Sequence, residues 1–302
     1  MNYEGGESMG KRALVIVNPT AGMKRSKKIM FDIVDHLSHA GYQVAAQTTT
    51  KSGDGTLFLK EYGADKDLII CCGGDGTLNE VINGLLEIGS DANLGYVPAG
   101  TTNDFARTLQ LPRNPEKCID SILAASPRTL DIGSFNGKNF TYIASLGAFT
   151  KISYSTPQKL KNAFGHSAYL MEGVKEIGNI SPFVATVEAD GEVFSGEFVF
   201  GSITNSTSVA GLFRLNELDV RLDDGELELM LIRNPKTPND LVQILRGLVK
   251  SQYDPRYVVF KHVTEVKLKT ATPLSWTLDG ERGGEVSEAQ IKVIPGAINL
   301  LM

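Results

Sequence analysis

A glycine-rich loop, GGDGTLNE at 73–80, carries the strongest chemical signal in the sequence, since it follows an apolar run and opens a helical pattern. Gly73, Gly74 and Gly76 lack Cβ atoms, so the backbone can turn sharply and approach a ligand closely. Unpaired N–H groups and the positive end of the helix dipole favour a phosphate at such a turn. Asp75 would repel that anion, which predicts an intervening Mg²⁺.

The same loop also fits a purely structural role. A tight strand-to-helix turn with Asp75 as the helix N-cap would use the same residues. The chain contains no GxxxxGK[ST], and Asn79 stands where the dinucleotide-binding fingerprint requires its third glycine. Taken alone, the loop leaves phosphate binding and a plain turn open.

Two further loops are predicted to lie beside this one, NPTAG at 18–22 and GTTND at 100–104. Each follows a predicted strand, and loops at the carboxyl ends of parallel strands share the sheet edge where ligands bind. Pro19 could simply rigidify a turn, and Asp104 could simply cap its own helix. Three polar, glycine-containing loops at one edge nevertheless favour a binding site over three incidental turns.

The elements that must position these loops are predicted as alternating strands and helices over 11–130. Helical spacing of apolar residues is found at 24–40 and 77–89. Buried parallel strands are predicted at the apolar runs 13–18, 67–72 and 94–99. The pattern predicts an α/β nucleotide-binding domain with a parallel sheet covered by helices. Residues 1–10, polar and glycine-rich, are expected to be a disordered lead-in.

After Thr129 the pattern changes to short alternating strands separated by turn signals. Asp-Gly pairs at 190–191 and 224–225 predict antiparallel hairpins. We therefore expect a β-rich antiparallel sandwich over 131–291, with the tail at 292–302 returning to the first domain. Two domains without a long linker predict a cleft between them.

Composition excludes several classes of protein. With 42% hydrophobic and 22% charged residues the chain is ordinary globular protein, and its net charge of -5 offers no global attraction to nucleic acid. The histidines and the three cysteines, Cys71, Cys72 and Cys118, lack metal-ligand spacing. This cysteine usage and the absence of an apolar run of about 20 residues predict a cytoplasmic protein that meets a membrane only from outside.

Together the three loops resemble a known family. NPTAG, GGDGTLNEVINGL and GTTNDFAR, in this order and at this spacing, are similar to the catalytic domain of bacterial diacylglycerol kinases, which sphingosine and ceramide kinases share. NAD kinases also carry GGDGT, whereas GTTNDFAR points to the lipid branch. The resemblance implies ATP- and Mg²⁺-dependent phosphorylation of a lipid hydroxyl, above all diacylglycerol giving phosphatidic acid. Alternatives are another lipid, such as a sphingosine-like lipid or phosphatidylglycerol, a soluble NAD kinase-like enzyme, or a non-catalytic nucleotide-responsive regulator.

The resemblance also implies which residues bind ATP and metal. The nucleotide positions are Asn18, Pro19, Thr20, Ala21, Gly22, Thr49, Gly73, Gly74, Asp75, Gly76, Thr77, Leu78, Asn79, Thr101 and Asp104. The catalytic Mg²⁺ would be organised by Asp75, Asp104 and Asp131. A second, structural Mg²⁺ would be held by the Asp224 carboxylate and the backbone carbonyls of Arg221 and Glu226, although RLDDGELEL by itself is an ordinary hairpin.

The segment LDGE at 278–281 extends the resemblance into the second domain. By itself Asp279-Gly280 predicts only a hairpin turn. In the family the glutamate after this turn is the general base that takes the proton of the acceptor hydroxyl, which makes Glu281 the implied base beside Asp75.

Two segments are candidates for contact with a membrane. The helix predicted at 158–178 is amphipathic with flanking lysines, which fits core packing as well as binding to anionic lipid. The basic group at 24–28 fits nucleotide phosphate, a membrane surface or a solvated helix face. A further helix is predicted at 238–250. A homodimer is consistent with the resemblance, but the sequence has no signal for it.

Overall fold

The computed structural model describes residues 10–21, 26–101, 103–147, 181–209, 213–214 and 220–302. The chain forms two compact units, one of Met1–Leu130 with Gly296–Met302 and one of Asp131–Pro295. The helix expected at 158–178, Gly22 and the side chains of the basic group at 24–28 lie outside the described residues.

Four strands pair in parallel in the first unit, in the order β4-β3-β1-β2. They are β1 (Arg12–Val17), β2 (Gln43–Thr48), β3 (Leu68–Gly73) and β4 (Asn93–Pro98). In register, Val17 pairs with Cys72 and Cys72 with Val97. β3 is buried along its whole length. Strands buried on both faces are apolar throughout, which is why these runs read as continuous rather than alternating.

Five helices accompany these strands: α1 (Ser26–His39), α2 (Asp54–Tyr62), α3 (Asp75–Glu87), α4 (Asp104–Thr108) and α5 (Pro115–Ala124). Ile33 of α1 and Ile119 of α5 lie in one apolar core with the side chains of β1 and β3. Cys72 and Cys118 share that core, and burial raises the pKa of each thiol to about 12. All three cysteines are free and buried, so they serve as small core side chains.

The last strand of the chain, β15 (Glu281–Leu301), contributes its carboxyl end to the first unit. Asn299 pairs with Asn93 and Leu301 with Gly95, in parallel with β4. Leu300 is fully buried there. The first unit is therefore built from two separate stretches of the chain.

Antiparallel strands dominate the second unit, in the order β13-β12-β9-β7-β14-β15, with β8 pairing to β9 and β14. Its core includes Phe198, Leu229, Trp276 and Ile291. The strands are β5 (Pro127–Phe135), β6 (Lys138–Phe140), β7 (Ile143–Gly147), β8 (Phe183–Ala189), β9 (Glu192–Thr204), β10 (Ser208–Val209), β11 (Phe213–Arg214), β12 (Leu227–Arg233), β13 (Val258–Val263) and β14 (Glu265–Leu278).

One helix of the second unit is described, α6 (Pro238–Lys250). Thr237 and Asp240 form a capping box at its start, each accepting a backbone N–H of the other, which satisfies two amides that the helix itself leaves unpaired. Across the described ranges, no helix is both long and apolar enough to cross a bilayer.

The three Asp-Gly pairs of the second unit have different surroundings. Asp190-Gly191 joins β8 to β9, and the hairpin predicted there is confirmed. Asp279-Gly280 joins β14 to β15, and both residues have positive φ, as a type I′ turn requires. At 224–225 the hairpin prediction is wrong: residues 220–226 form bends rather than a strand, and β12 begins only at Leu227. Acidic bends and hairpin turns share the same Asp-Gly signal, so only the pairing of the flanking strands distinguishes them.

Candidate nucleotide-binding site

The start of α3 presents backbone N–H groups without a capping side chain. Gly74 is the N-cap in extended conformation, and no side chain accepts a hydrogen bond from the first turn. The first N–H groups of an α-helix have no intrahelical acceptor. Together with the helix dipole, these amides form a site suited to an anion.

Asp75 does not cap its own helix. Its carboxylate accepts hydrogen bonds from the backbone N–H groups of Asp104 (3.0 Å) and Phe105 (3.3 Å), so it caps α4 instead. Burial raises the pKa of Asp75 above its ordinary value, and the negative charge of Asp104 raises it further against the lowering by these two N–H bonds. Asp75 and Asp104 thus form a close acidic pair, an arrangement that a cation would relieve.

Asn18 connects the first loop to the glycine-rich loop. Its Nδ2 donates to Thr77 Oγ1 at 3.1 Å, and its backbone N–H donates to the Cys72 carbonyl at 2.9 Å. Its Oδ1 also accepts from the N–H and hydroxyl of Thr20. A single side chain therefore shapes NPTA and fixes it against the start of α3.

The loop after β4 approaches the glycine-rich loop backbone to backbone. A Cβ placed on Gly100 would lie 2.6 Å from Gly74 Cα, closer than any real contact. The N–H groups of Ala99 and Gly100 both donate to the Gly73 carbonyl, at 2.8 and 3.2 Å. Asn103, in left-handed conformation, donates from Nδ2 to the Gly100 carbonyl. Glycine is required here because the backbones of the two loops lie too close together to admit a Cβ atom.

The structure thus brings the three predicted loops together in the first unit, but individual positions differ. Thr101 is exposed, and Thr49 is buried with its N–H donating to the Val17 carbonyl. Leu78 is buried, and its N–H donates to the Gly74 carbonyl within the helix, so this residue offers no free donor. Asn79 accepts a hydrogen bond from Asn83 within α3.

Glu80 and Asp54 organise a fourth loop. The sequence patterns did not predict this role for either residue. Glu80 accepts hydrogen bonds from the N–H groups of Gly53 (2.8 Å) and Gly55 (3.0 Å). Asp54 accepts from the N–H and hydroxyl of Thr50, and these bonds lower the pKa of its carboxyl. The loop after β2 is therefore tied to α3. The polar, glycine-containing stretch KSGDGT was the available signal for this loop, and Glu80 is the last residue of GGDGTLNE, but neither pattern shows that the two meet.

Asp131 lies in the second unit, against the acidic bend. Its Oδ2 accepts the N–H of Gly225 at 2.7 Å, and its own N–H donates to the Leu222 carbonyl. The charge of Asp224 adds to burial in raising the pKa of nearby Glu228 to about 9. Among the residues that the structure describes, no three His, Cys, Asp or Glu side chains form a metal-binding group. The expectation that Asp131 joins Asp75 and Asp104 at the catalytic Mg²⁺ stays a prediction.

Glu281 stands at the first position of β15, exposed, directly after the Asp279-Gly280 turn. The Asp279 carboxylate accepts three backbone N–H groups, from Thr141 (2.6 Å), Tyr142 (2.9 Å) and Ile143 (3.1 Å). The turn is therefore fixed to the segment before β7. No hydrogen-bond or ion-pair partner holds the Glu281 side chain within the described part of the chain.

Comparisons with known proteins agree with this arrangement. The diacylglycerol kinase catalytic domain model matches residues 12–135, and the YegS C-terminal NAD kinase beta sandwich-like domain model matches residues 148–302. The diacylglycerol kinase of Bacillus subtilis (strain 168) is 36% identical over 91% of each chain. That of Staphylococcus aureus (strain MRSA252) is 34% identical over 92% of this chain and 88% of its own. A crystal structure of a diacylglycerol kinase from Bacillus anthracis str. Sterne covers 98% of each chain with a TM-score of 0.76 and 24% identity, which shows a shared fold.

The loops of the first unit and the β sandwich after them define a kinase built on a diacylglycerol kinase catalytic domain. The extent and identity of the matches show more than this class. The chain belongs to the diacylglycerol kinase family, and it is thus a lipid kinase.

Proposed function

We propose that the protein transfers the γ-phosphoryl group of ATP to the free hydroxyl of diacylglycerol, giving phosphatidic acid and ADP. The observation that carries this proposal is the linkage of three loops in one unit, through Asn18 to Thr77 and through Asp75 to Asp104 and Phe105. Phosphoryl transfer depends mainly on positioning and charge neutralisation, and loops fixed to one another provide that positioning. The curated relatives named diacylglycerol kinase support the choice of acceptor.

The residues present fit a magnesium nucleotide. The uncapped N–H groups at the start of α3 suit phosphate oxygens, and the Asp75 and Asp104 carboxylates are the hard oxygen ligands that Mg²⁺ prefers. Mg²⁺ bound there would neutralise phosphate charge. A second Mg²⁺ at the acidic bend, with the Asp224 carboxylate and the carbonyls of Arg221 and Glu226, belongs to the same proposal.

In this proposal Glu281 removes the proton from the acceptor hydroxyl as its oxygen bonds to the γ-phosphorus and the bond to the bridging oxygen of ADP breaks. Two observations support that role. The glutamate is exposed, and among the described residues no partner competes for its lone pairs. The turn before it is fixed by three hydrogen bonds to Asp279, which hold the backbone from which the carboxylate projects.

The test compares Glu281→Gln with Glu285→Gln, an exposed glutamate of the same strand whose ion pair with Arg282 is solvent-exposed. Purified protein receives labelled ATP with Mg²⁺ and mixed micelles of diacylglycerol, a sphingosine-like lipid or phosphatidylglycerol, with NAD as a soluble acceptor. We expect label in phosphatidic acid. Loss of the base is expected to lower kcat about 10²- to 10⁴-fold with unchanged ATP affinity, whereas Glu285→Gln keeps its activity. Near-normal turnover by Glu281→Gln, or label only in NAD, would refute the proposal.

We further propose that the enzyme reaches its substrate by binding anionic membrane through the outer face of α6. Val242 is 43% exposed there, and with Leu245, Arg246 and Lys250 it lines a surface cleft of about 240 Å³. Neither Arg246 nor Lys250 has an ion-pair partner among the described residues. An apolar strip bordered by these two cations complements an anionic phospholipid surface. The chain as a whole has a net charge of -5, so positive charge is a local feature of this face.

A further inference from the structure

The central sheet of the second unit has one face in the apolar core and a second face that carries polar as well as apolar residues. The apolar core contains alternate residues of β7, β9 and β12: Ala144, Leu146, Ile203, Leu229 and Leu231. Successive side chains of a strand point to opposite faces of its sheet, so the residues between them share the other face. These include the buried apolar residues Phe200, Met230 and Ile232. The polar residues of this face, with one residue of β14, form what we call the polar ribbon: Thr277, Ser145, Ser202, Thr204 and Glu228.

Strand register makes the polar ribbon continuous across four strands. Thr277 is the partner of Ser145, and their hydroxyl oxygens are 2.8 Å apart. Ser145 is in turn the partner of Ser202. Thr204, two residues further along β9, is the partner of Glu228, and its hydroxyl donates to Glu228 Oε2 at 3.4 Å. The row begins two residues before the Asp279-Gly280 turn that carries Glu281.

The far part of the polar ribbon is buried but incompletely hydrogen-bonded. Ser202 and Thr204 are fully buried and Glu228 is 1% exposed. Among the described residues, Ser202 Oγ and Glu228 Oε1 have no hydrogen-bond partner, and neither has Oδ1 of Asn205, the residue after Thr204. The His262 ring on β13 faces Glu228, and its Nδ1 lies 3.8 Å from Oε1, beyond hydrogen-bonding distance. Thr277 is half-buried, so the row is more open at the end near the turn.

Buried polar groups without a hydrogen bond lower the stability of the folded protein unless a ligand or a water molecule bonds to them. A buried polar atom without a partner costs about 1–3 kcal/mol, and most natural proteins contain few of them. Apolar side chains avoid that cost at neighbouring positions of the same face, where Phe200, Met230 and Ile232 are buried. A buried unsatisfied group in a native protein therefore calls for an explanation. Two such atoms in the polar ribbon, with a third on Asn205 directly after it, indicate a binding surface.

We propose that the polar ribbon binds the glycerol ester region of the acceptor lipid. The Ser202 hydroxyl donates to an ester carbonyl, and the unpaired oxygens of Glu228 and Asn205 form hydrogen bonds with groups that the ligand or its water supplies. An acylglycerol presents acceptors on its esters and a donor on its free hydroxyl, which matches this mixture of unpaired groups. The inference rests on the proposed function, because it names where that substrate is recognised. The five ribbon residues are thereby specificity-determining rather than catalytic.

The experiment measures steady-state kinetics and thermal stability of Ser202→Ala and Thr204→Val. The matched control is Ser195→Ala, which removes an exposed hydroxyl from the same strand, bonded to Thr186. Loss of a ligand hydrogen bond is expected to raise KM for diacylglycerol about 3- to 10-fold, with KM for ATP unchanged. The melting temperature of Ser202→Ala should stay or rise, because the alanine leaves no unsatisfied hydroxyl. If Ser202→Ala lowers the melting temperature and leaves KM for diacylglycerol unchanged, the polar ribbon is purely structural or filled with water, and the inference is wrong.

A binding measurement separates this inference from the proposed function. Trp276 is the only tryptophan of the chain and directly precedes Thr277, so its fluorescence can follow addition of dioctanoylglycerol without ATP. Binding that Ser202→Ala weakens at least threefold supports the polar ribbon, even if no lipid is phosphorylated. Diacylglycerol turnover that both ribbon variants leave unchanged would overturn the ribbon while the proposed function stands.

Discussion

At the scale of single residues, the candidate site is organised by side chains that act across loops. Asp75 was open to two interpretations from sequence, a cap of its own helix or an acidic group beside phosphate. The structure shows it capping α4, with a pKa raised first of all by burial. A carboxylate that both holds the neighbouring loop and carries an unfavourable buried charge is suited to a cation site.

Gly100 offers a direct test of the loop arrangement. In Gly100→Ala the new Cβ would lie 2.6 Å from both Gly74 Cα and Asn103 Oδ1, so the two loops must separate. We expect a loss of about 1–3 kcal/mol in unfolding free energy, measured by urea denaturation, together with weaker ATP binding. Gly10→Ala is the control, since its Cβ would meet nothing closer than 3.7 Å. Unchanged stability and ATP affinity in Gly100→Ala would contradict the close contact of these loops.

At the scale of elements, loops are positioned by the helices beside them. α3 carries Glu80, which holds the loop at 53–55, and packs against α2 so closely that a Cβ on Gly84 would lie 2.7 Å from Leu59 Cβ. Helix α6 of the second unit has a different role, because its buried Ile244 and Leu248 leave the strip around Val242 outside. One face stabilises the unit, and the other is available to a membrane.

The double variant Arg246→Gln/Lys250→Gln tests the outer face of α6. Each cation near an anionic bilayer contributes about 1 kcal/mol, so we expect co-sedimentation with phosphatidylglycerol–phosphatidylcholine vesicles to weaken roughly tenfold or more. Activity in neutral detergent micelles should not change. Arg113→Gln/Lys117→Gln is the control, since it removes the same charges at the same spacing near the start of α5. Equal vesicle binding by all three proteins, or a shift from dimer to monomer in the α6 variant, would exclude the membrane assignment.

At the scale of the whole molecule, the first unit depends on the end of the chain. The carboxyl end of β15 pairs with β4 and buries Ile298, Leu300 and Leu301. The nucleotide loops follow β1, β3 and β4, so they belong to a sheet that is complete only when the last residues are in place. Stability of the nucleotide site is therefore linked to residues far from every recognised motif.

Leu300→Ala tests this dependence. The leucine is fully buried, and its truncation should lower the free energy of unfolding by about 2–5 kcal/mol in chemical denaturation. The variant should also lose its ability to bind ATP at a lower denaturant concentration than the wild type. Removal of Met302 alone, beyond the last paired residue, serves as the control and should change little. A wild-type denaturation midpoint for Leu300→Ala would show that the returning end does not support the first unit.

The sequence by itself determined the local features of this protein. Apolar runs identified β1, β3 and β4, helical spacing identified α1, α3 and α6, and the pairs at 190–191 and 279–280 indicated tight turns, because period, propensity and turn chemistry act over a few residues. The three loop motifs were also enough to identify the family, which the comparisons confirm.

Only the tertiary structure decided which distant groups meet. Asp75 caps α4, Glu80 holds the loop at 53–55, and Asp131 lies against Gly225, all contacts between residues far apart in the chain. No periodicity encodes such partners, since they follow from how buried surfaces pack and which backbone groups remain unsatisfied. For the same reason the acidic bend at 220–226 read as a hairpin: strand pairing depends on neighbours that local sequence does not specify.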